Sequence, residues 1–87
     1  MNGLSIRLQN GYQDVCDLWK IIDKYPDTTD FNIYQRRFIV DGKSILGIMG
    51  LELNKMMTVE ILTTNKDEEK RFYDEIKRWE FHGAADE

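Results

Sequence analysis

The 87-residue chain has one cysteine, one proline and one histidine. Cys16 alone cannot close an internal disulfide, and with His82 it falls short of the four ligands of a structural zinc site, so neither a redox staple nor a metal is expected. No apolar run approaches the roughly 18 residues that a spanning helix needs, which argues against a membrane protein. The opening MNGLSIRL lacks a basic stretch followed by an apolar block and a small-residue cleavage site. Export is therefore not signalled, and a cytoplasmic location is the expectation. Basic charge is also in deficit: 12 Lys and Arg stand against 16 Asp and Glu, a net charge of −4. That balance works against nucleic-acid binding, which needs clustered cations to displace counterions from phosphates. The adjacent pair Arg36 and Arg37 reads as solvated turn residues.

What is present is an ordinary globular composition, 41% hydrophobic and 32% charged, in a chain long enough for one modest core. A single domain over residues 1–83 is expected, with 84–87 a frayed tail after Gly83. Leu4, Ile6 and Leu8 alternate with polar residues, predicting a strand over about residues 3 to 9. After Asn10 and Gly11, the positions Tyr12, Val15, Cys16, Trp19, Ile22 and Tyr25 recur at helical spacing until Pro26. On that face Cys16 is expected to be a buried, inert thiol. Phe31 with Ile33 and Phe38 with Val40 predict two strands joined through YQRR, which lacks the Asn-Gly or Asp-Gly of a tight hairpin and leaves the turn type open. Met57, Val59 and Ile61 mark a fourth strand. Asn65 with Glu68 resembles a capping box before a helix with Phe72, Ile76 and Trp79 on one face, supported by Asp67–Arg71 and Asp74–Arg78 pairs and ending at Gly83. The order is βαββαβα, an α+β sandwich with a mostly antiparallel sheet covered on one face by helices.

Between the third and fourth strands lies SILGIMGLEL, read as a short helix with too many apolar sides. On a helical wheel Ile45, Leu46, Met49 and Leu53 fall on one side, with Ile48 and Leu51 roughly opposite. If Ile48 and Leu51 enter the core, then Ile45, Leu46 and Met49 form an exposed partner surface. If the larger set is buried beneath the last helix, nothing is exposed. Ser44 stands at the N-cap, where its hydroxyl can accept from a free backbone N–H. A phosphate at that position would meet the positive end of the helix and stabilise it.

KSILGIMGLEL, followed by MTVEI, resembles the regulatory-serine helix and fourth strand of the HPr family, the phosphocarrier of the bacterial sugar phosphotransferase system. The run K-S-I-x-G-[IV]-M is the specific part, and the βαββαβα order extends the likeness over nearly the whole chain. It implies an HPr-like open-faced sandwich, with a four-stranded sheet covered on one face by three helices. In HPr the first strand leads into G-x-H-x-R-P, whose histidine takes phosphate from phosphoenolpyruvate through Enzyme I. Here NGYQDVCDL keeps Gly11 but puts Gln13 at the histidine, Val15 at the arginine and Cys16 at the proline. A glutamine amide cannot serve as a phosphoramidate donor, so no catalytic residue is implied. In Gram-positive HPr, and in a histidine-lacking regulatory relative that also carries glutamine there, the helix serine is phosphorylated by the ATP-dependent HPr kinase/phosphorylase. The product then binds a catabolite-control transcription regulator.

By that resemblance Ser44 is the phosphorylation site, and Ile45, Leu46 and Met49 form the partner surface. No cofactor is implied, and the chain is a regulatory module, not an enzyme. Two readings stand beside it. One is a phosphocarrier using Cys16 or His82 as an unorthodox acceptor. The other is a non-catalytic domain that forms a homodimer through the apolar helix.

Overall fold

The structure, a computed structural model, describes residues 3–83, so the tail expected over 84–87 lies outside the described residues. The elements follow in the order β1 (Leu4–Ile6), α1 (Tyr12–Asp23), β2 (Asp30–Gln35), β3 (Phe38–Asp41), α2 (Ile45–Met49), β4 (Met57–Leu62) and α3 (Lys66–Ile76), with a 3-10 turn at Lys77–Trp79. The four-stranded sheet runs β1-β4-β2-β3. Every neighbouring pair is antiparallel, with registers such as Leu4↔Val59, Ile33↔Val59 and Ile33↔Val40. β1 and β2 therefore run parallel on either side of β4, and β3 and β4 on either side of β2. The fold is two interleaved βαβ crossovers, and all helices lie on one face.

Alternation on the strands sets that face. Leu4, Ile6, Phe31, Ile33, Met57, Val59 and Ile61 point inward, where they meet Val15, Leu18 and Ile22 of α1, Ile48 of α2, and Phe72 and Ile76 of α3. Each such side chain stabilises the fold by about 1.5–3 kcal/mol relative to exposure. At the centre Tyr25, Phe31 and Phe72 meet edge to face, with ring centroids 4.9–5.7 Å apart. The other sheet face carries a polar network: Tyr34 donates its hydroxyl to Glu60 at 2.6 Å and accepts from Asn32 at 3.2 Å.

Several expectations are corrected. β1 is shorter than residues 3 to 9 because its partner β4 begins at Met57, opposite Ile6; Leu8 is still buried, held by a bond from its N–H to the Leu53 carbonyl. The buried stripe of α1 is Asp14, Val15, Leu18 and Ile22; Tyr12 is exposed, and Cys16 and Trp19 sit half-buried on its flank, so Cys16 is not the buried thiol expected. The last helix stops at Ile76, not at Gly83, because Trp79 must reach the core and the chain beyond it runs along β1. There Glu80 bridges to Ile6, and the Phe81 N–H donates to the Ser5 carbonyl at 2.9 Å.

Asn65 caps α3 as expected, its Oδ1 accepting from the Glu68 N–H at 3.0 Å. The reciprocal half of the box is replaced, since Glu68 accepts from the Thr63 hydroxyl instead. The helix pairs are also reassigned: Lys70 takes Asp74 at 2.6 Å, Arg71 lies over the Tyr25 ring, and Arg78 reaches Asp17 at 3.7 Å. The first of these is local to the helix, whereas the other two reach Tyr25 and Asp17 through the fold.

Candidate functional site

α1 begins at Gly11, whose φ of 60° and ψ of −128° suit glycine and turn the chain sharply out of β1. Its first turn is organised by the buried carboxylate of Asp14, which accepts from the Asn10 N–H at 2.9 Å. Gln13 projects into solvent, and its amide donates to Asp17 one turn on, at 3.1 Å. His82 is also exposed, with Nε2 3.4 Å from a Glu80 carboxylate oxygen.

α1 is tied to the start of α2 through Trp19, whose indole N–H donates to the Lys43 carbonyl at 3.0 Å. Ser44 follows at once. Its backbone N–H donates to the Asp41 carbonyl at 2.9 Å, its carbonyl accepts from the Ile48 N–H at 3.1 Å, and its Oγ accepts from the Gly47 N–H at 3.1 Å. Ser44 is thus an N-cap with an exposed hydroxyl, as its position before an apolar run predicts. The first turn of α2 carries no acidic residue that would repel added negative charge. Lys43 does not face the serine. Its ammonium turns back to the carbonyls at the end of α1, 2.7 Å from Pro26 O and 3.3 Å from Tyr25 O.

α2 is only five residues long, so the wheel drawn through Leu53 does not apply to its second half. Ile48 is fully buried, Ile45 and Met49 are half-buried against the core, and Leu46 is 78% exposed. Leu51 and Leu53 lie beyond the helix and are half-buried. The apolar surface beside Ser44 is therefore centred on Leu46, with Ile45 and Met49 contributing their outer edges. It is smaller than a cluster of three exposed side chains.

Gly50 caps the helix, and the segment after it is fastened by a contact that local periodicity did not reveal. Gln35, buried at the end of β2, straps the following segment: its Nε2 donates to the Glu52 carbonyl at 2.8 Å, and its Oε1 accepts from the Glu52 N–H at 2.9 Å. The signal was a polar residue at the inward position of the alternation Phe31, Ile33, Gln35.

Tyr25 sits between Lys43 and α3, and donates its hydroxyl to Glu75 at 2.9 Å. Burial, opposed by the hydrogen bond with Arg71 and reinforced by the Glu75 carboxylate, holds its pKa above the ordinary 10.0.

The chain is an open-faced α+β sandwich in which a serine caps a short helix beside a solvent-facing leucine. A family model described as the PTS HPr component phosphorylation site matches residues 17–79. The chain belongs to the PTS HPr family, the phosphocarrier proteins of the phosphotransferase system. The matched segment contains Ser44 and all of α2, whereas Gln13 and Cys16 precede it and His82 follows it. No curated protein and no solved structure matches the chain.

Proposed function

We propose that this HPr-family protein is a regulatory binding module of the sugar phosphotransferase and catabolite-control network, switched by phosphorylation of Ser44 and without histidine phosphocarrier activity. The observation that carries the reading is the state of Ser44: exposed, at the N-cap of α2, with the 78% exposed Leu46 two residues on. A phosphoryl group on its Oγ adds a charge of about −1.5 to −2 next to the free N–H groups of the first turn, which reinforces the cap while changing the surface that a partner meets. Lys43, already committed to α1, neutralises none of it. A partner with basic side chains and an apolar seat for Leu46 then distinguishes the two forms.

The other half of the reading rests on the first turn of α1. Gln13, Val15 and Cys16 supply no imidazole and no cation there, and the chain's one histidine lies at the far end of the sequence. An HPr kinase/phosphorylase-type kinase and a catabolite-control transcription regulator in the cytoplasm are the partners that this reading assigns.

Incubation with an HPr kinase and ATP, followed by intact mass measurement, tests the serine. Wild type is expected to gain one phosphate and Ser44→Ala none. No gain on wild type, or an equal gain on the variant, overturns the proposal.

A further inference from the structure

The sheet has two edges, and the chain treats them differently. Along β1 the residues after α3 cover the edge, through the Glu80–Ile6 bridge, the Phe81 N–H to Ser5 carbonyl bond, and the Arg7 N–H to Trp79 carbonyl bond at 3.0 Å. Along β3 no described segment pairs. Unpaired edges recruit strands, and proteins blunt them with short length, charge, proline or a bulge. β3 is four residues long and has no proline, lysine or bulge, and its one charge, Asp41, stands at its end.

Its hydrogen-bonding parity is fixed. The turn at Arg36 and Arg37 pairs Gln35 with Phe38, and the Gly42 N–H donates to the Phe31 carbonyl at 2.9 Å, so Phe38, Val40 and Gly42 bond inward to β2. The N–H and C=O of Ile39, the N–H of Asp41 and the C=O of Arg37 point to the open side. On the helix face, beside this edge, Phe38, Val40, Leu46 and Leu51 line an apolar groove. Phe38 is 60% exposed, and Ile39 on the other face is 63% exposed.

We propose that the β3 edge is a homodimer interface, formed by antiparallel pairing of β3 with β3 of a second copy into one continuous eight-stranded sheet. The sequence Arg37-Phe38-Ile39-Val40-Asp41 is self-complementary under a two-fold axis through Ile39. In that register Ile39 opposes its own copy and exchanges two backbone bonds with it. The Asp41 N–H meets the Arg37 carbonyl of the second copy, and symmetry makes the same bond in the other direction. On the open face Arg37 lies across from Asp41 of the other chain, twice. On the helix face Phe38 lies across from Val40, also twice.

Charge complementarity selects this register over its neighbour. A slip of two residues puts Ile39 against Asp41 and leaves Arg37 unmatched. One oxygen of Asp41 already accepts from the Lys43 N–H at 2.9 Å, which orients the carboxylate and leaves its second oxygen for the arginine. The inference does not depend on Ser44, whose hydroxyl serves α2.

Equilibrium sedimentation of the full chain over a range of concentrations is the test. Wild type is expected to show a monomer–dimer equilibrium. Ile39→Lys, at an exposed position, shifts it to monomer, with an unfolding curve that matches wild type at concentrations where wild type is also monomeric. Arg37→Asp sets like charges opposite each other and weakens the dimer by about tenfold; Arg37→Asp combined with Asp41→Arg restores it. A wild type that stays monomeric at every concentration overturns the proposal, and leaves the edge to an extended segment of another protein. A dimer indifferent to Ile39→Lys, or a double exchange that does not recover, overturns it as well.

Discussion

Ser44 and Tyr25 show how single groups in this chain gain their properties from neighbours. The Ser44 hydroxyl is held by one backbone N–H and otherwise faces solvent, so Ser44→Ala should lower stability by about 1 kcal/mol, measured as a shift in urea midpoint at constant slope. Tyr25 gives a pH signature. Its folded pKa is raised, chiefly by burial, so the unfolded chain loses this proton first as pH climbs. Stability from this group is intact below the ordinary value of 10.0 and falls as pH rises past it toward the folded value. Tyr73, raised by burial and opposed by its hydrogen bond to the Ile61 N–H, acts in the same direction. Tyr25→Phe, which loses the hydrogen bond to Glu75, should be less stable than wild type below pH 10.0, and without the titrating hydroxyl its urea midpoint should decline less steeply above it.

At the scale of elements, long-range bonds fasten the segments between helices and strands. Gln35 binds both the N–H and the C=O of Glu52, and its removal leaves them to find new partners in a half-buried loop. Gln35→Ala should cost about 1–3 kcal/mol by urea unfolding. The β2–β3 turn carries a local cost of the opposite kind: Arg36 adopts φ 55°, where a side chain costs roughly 1–2 kcal/mol. Its exposed ion pair with Glu52, at 3.3 Å, offsets little of that. Arg36→Gly should stabilise the protein by about 0.5 kcal/mol, after the greater chain entropy of unfolded glycine is subtracted.

These same elements show what local sequence could and could not reveal. The strands, the three helices and both polar N-caps were legible, because alternation, helical spacing and capping residues act within a turn or two of chain. The length of α2 was not, since SILGIMGLEL stays apolar past Gly50, where the helix is capped. Nor was the end of α3, set by Trp79 reaching the core while Glu80 and Phe81 run along β1. The short α2 in turn reshaped the expected contact surface, leaving Leu46 exposed and Ile45 and Met49 half-buried.

For the molecule as a whole, the chain has the fold of its family, with Gln13 in the first turn of α1. One helical surface carries the serine, and Gln13 stands where the resemblance places the phosphocarrier histidine. The chemistry of the two modifications separates the alternatives, because a serine phosphoester survives mild acid while phosphate on imidazole or thiolate is labile. The decisive measurement is the intact mass of the full chain after exposure to both donor systems, Enzyme I with phosphoenolpyruvate and HPr kinase with ATP, before and after mild acid. One acid-stable phosphate, mapped to Ser44, is the expected result. An acid-labile phosphate on His82 or Cys16, with Ser44 unmodified, would contradict the account and make this chain a phosphocarrier after all.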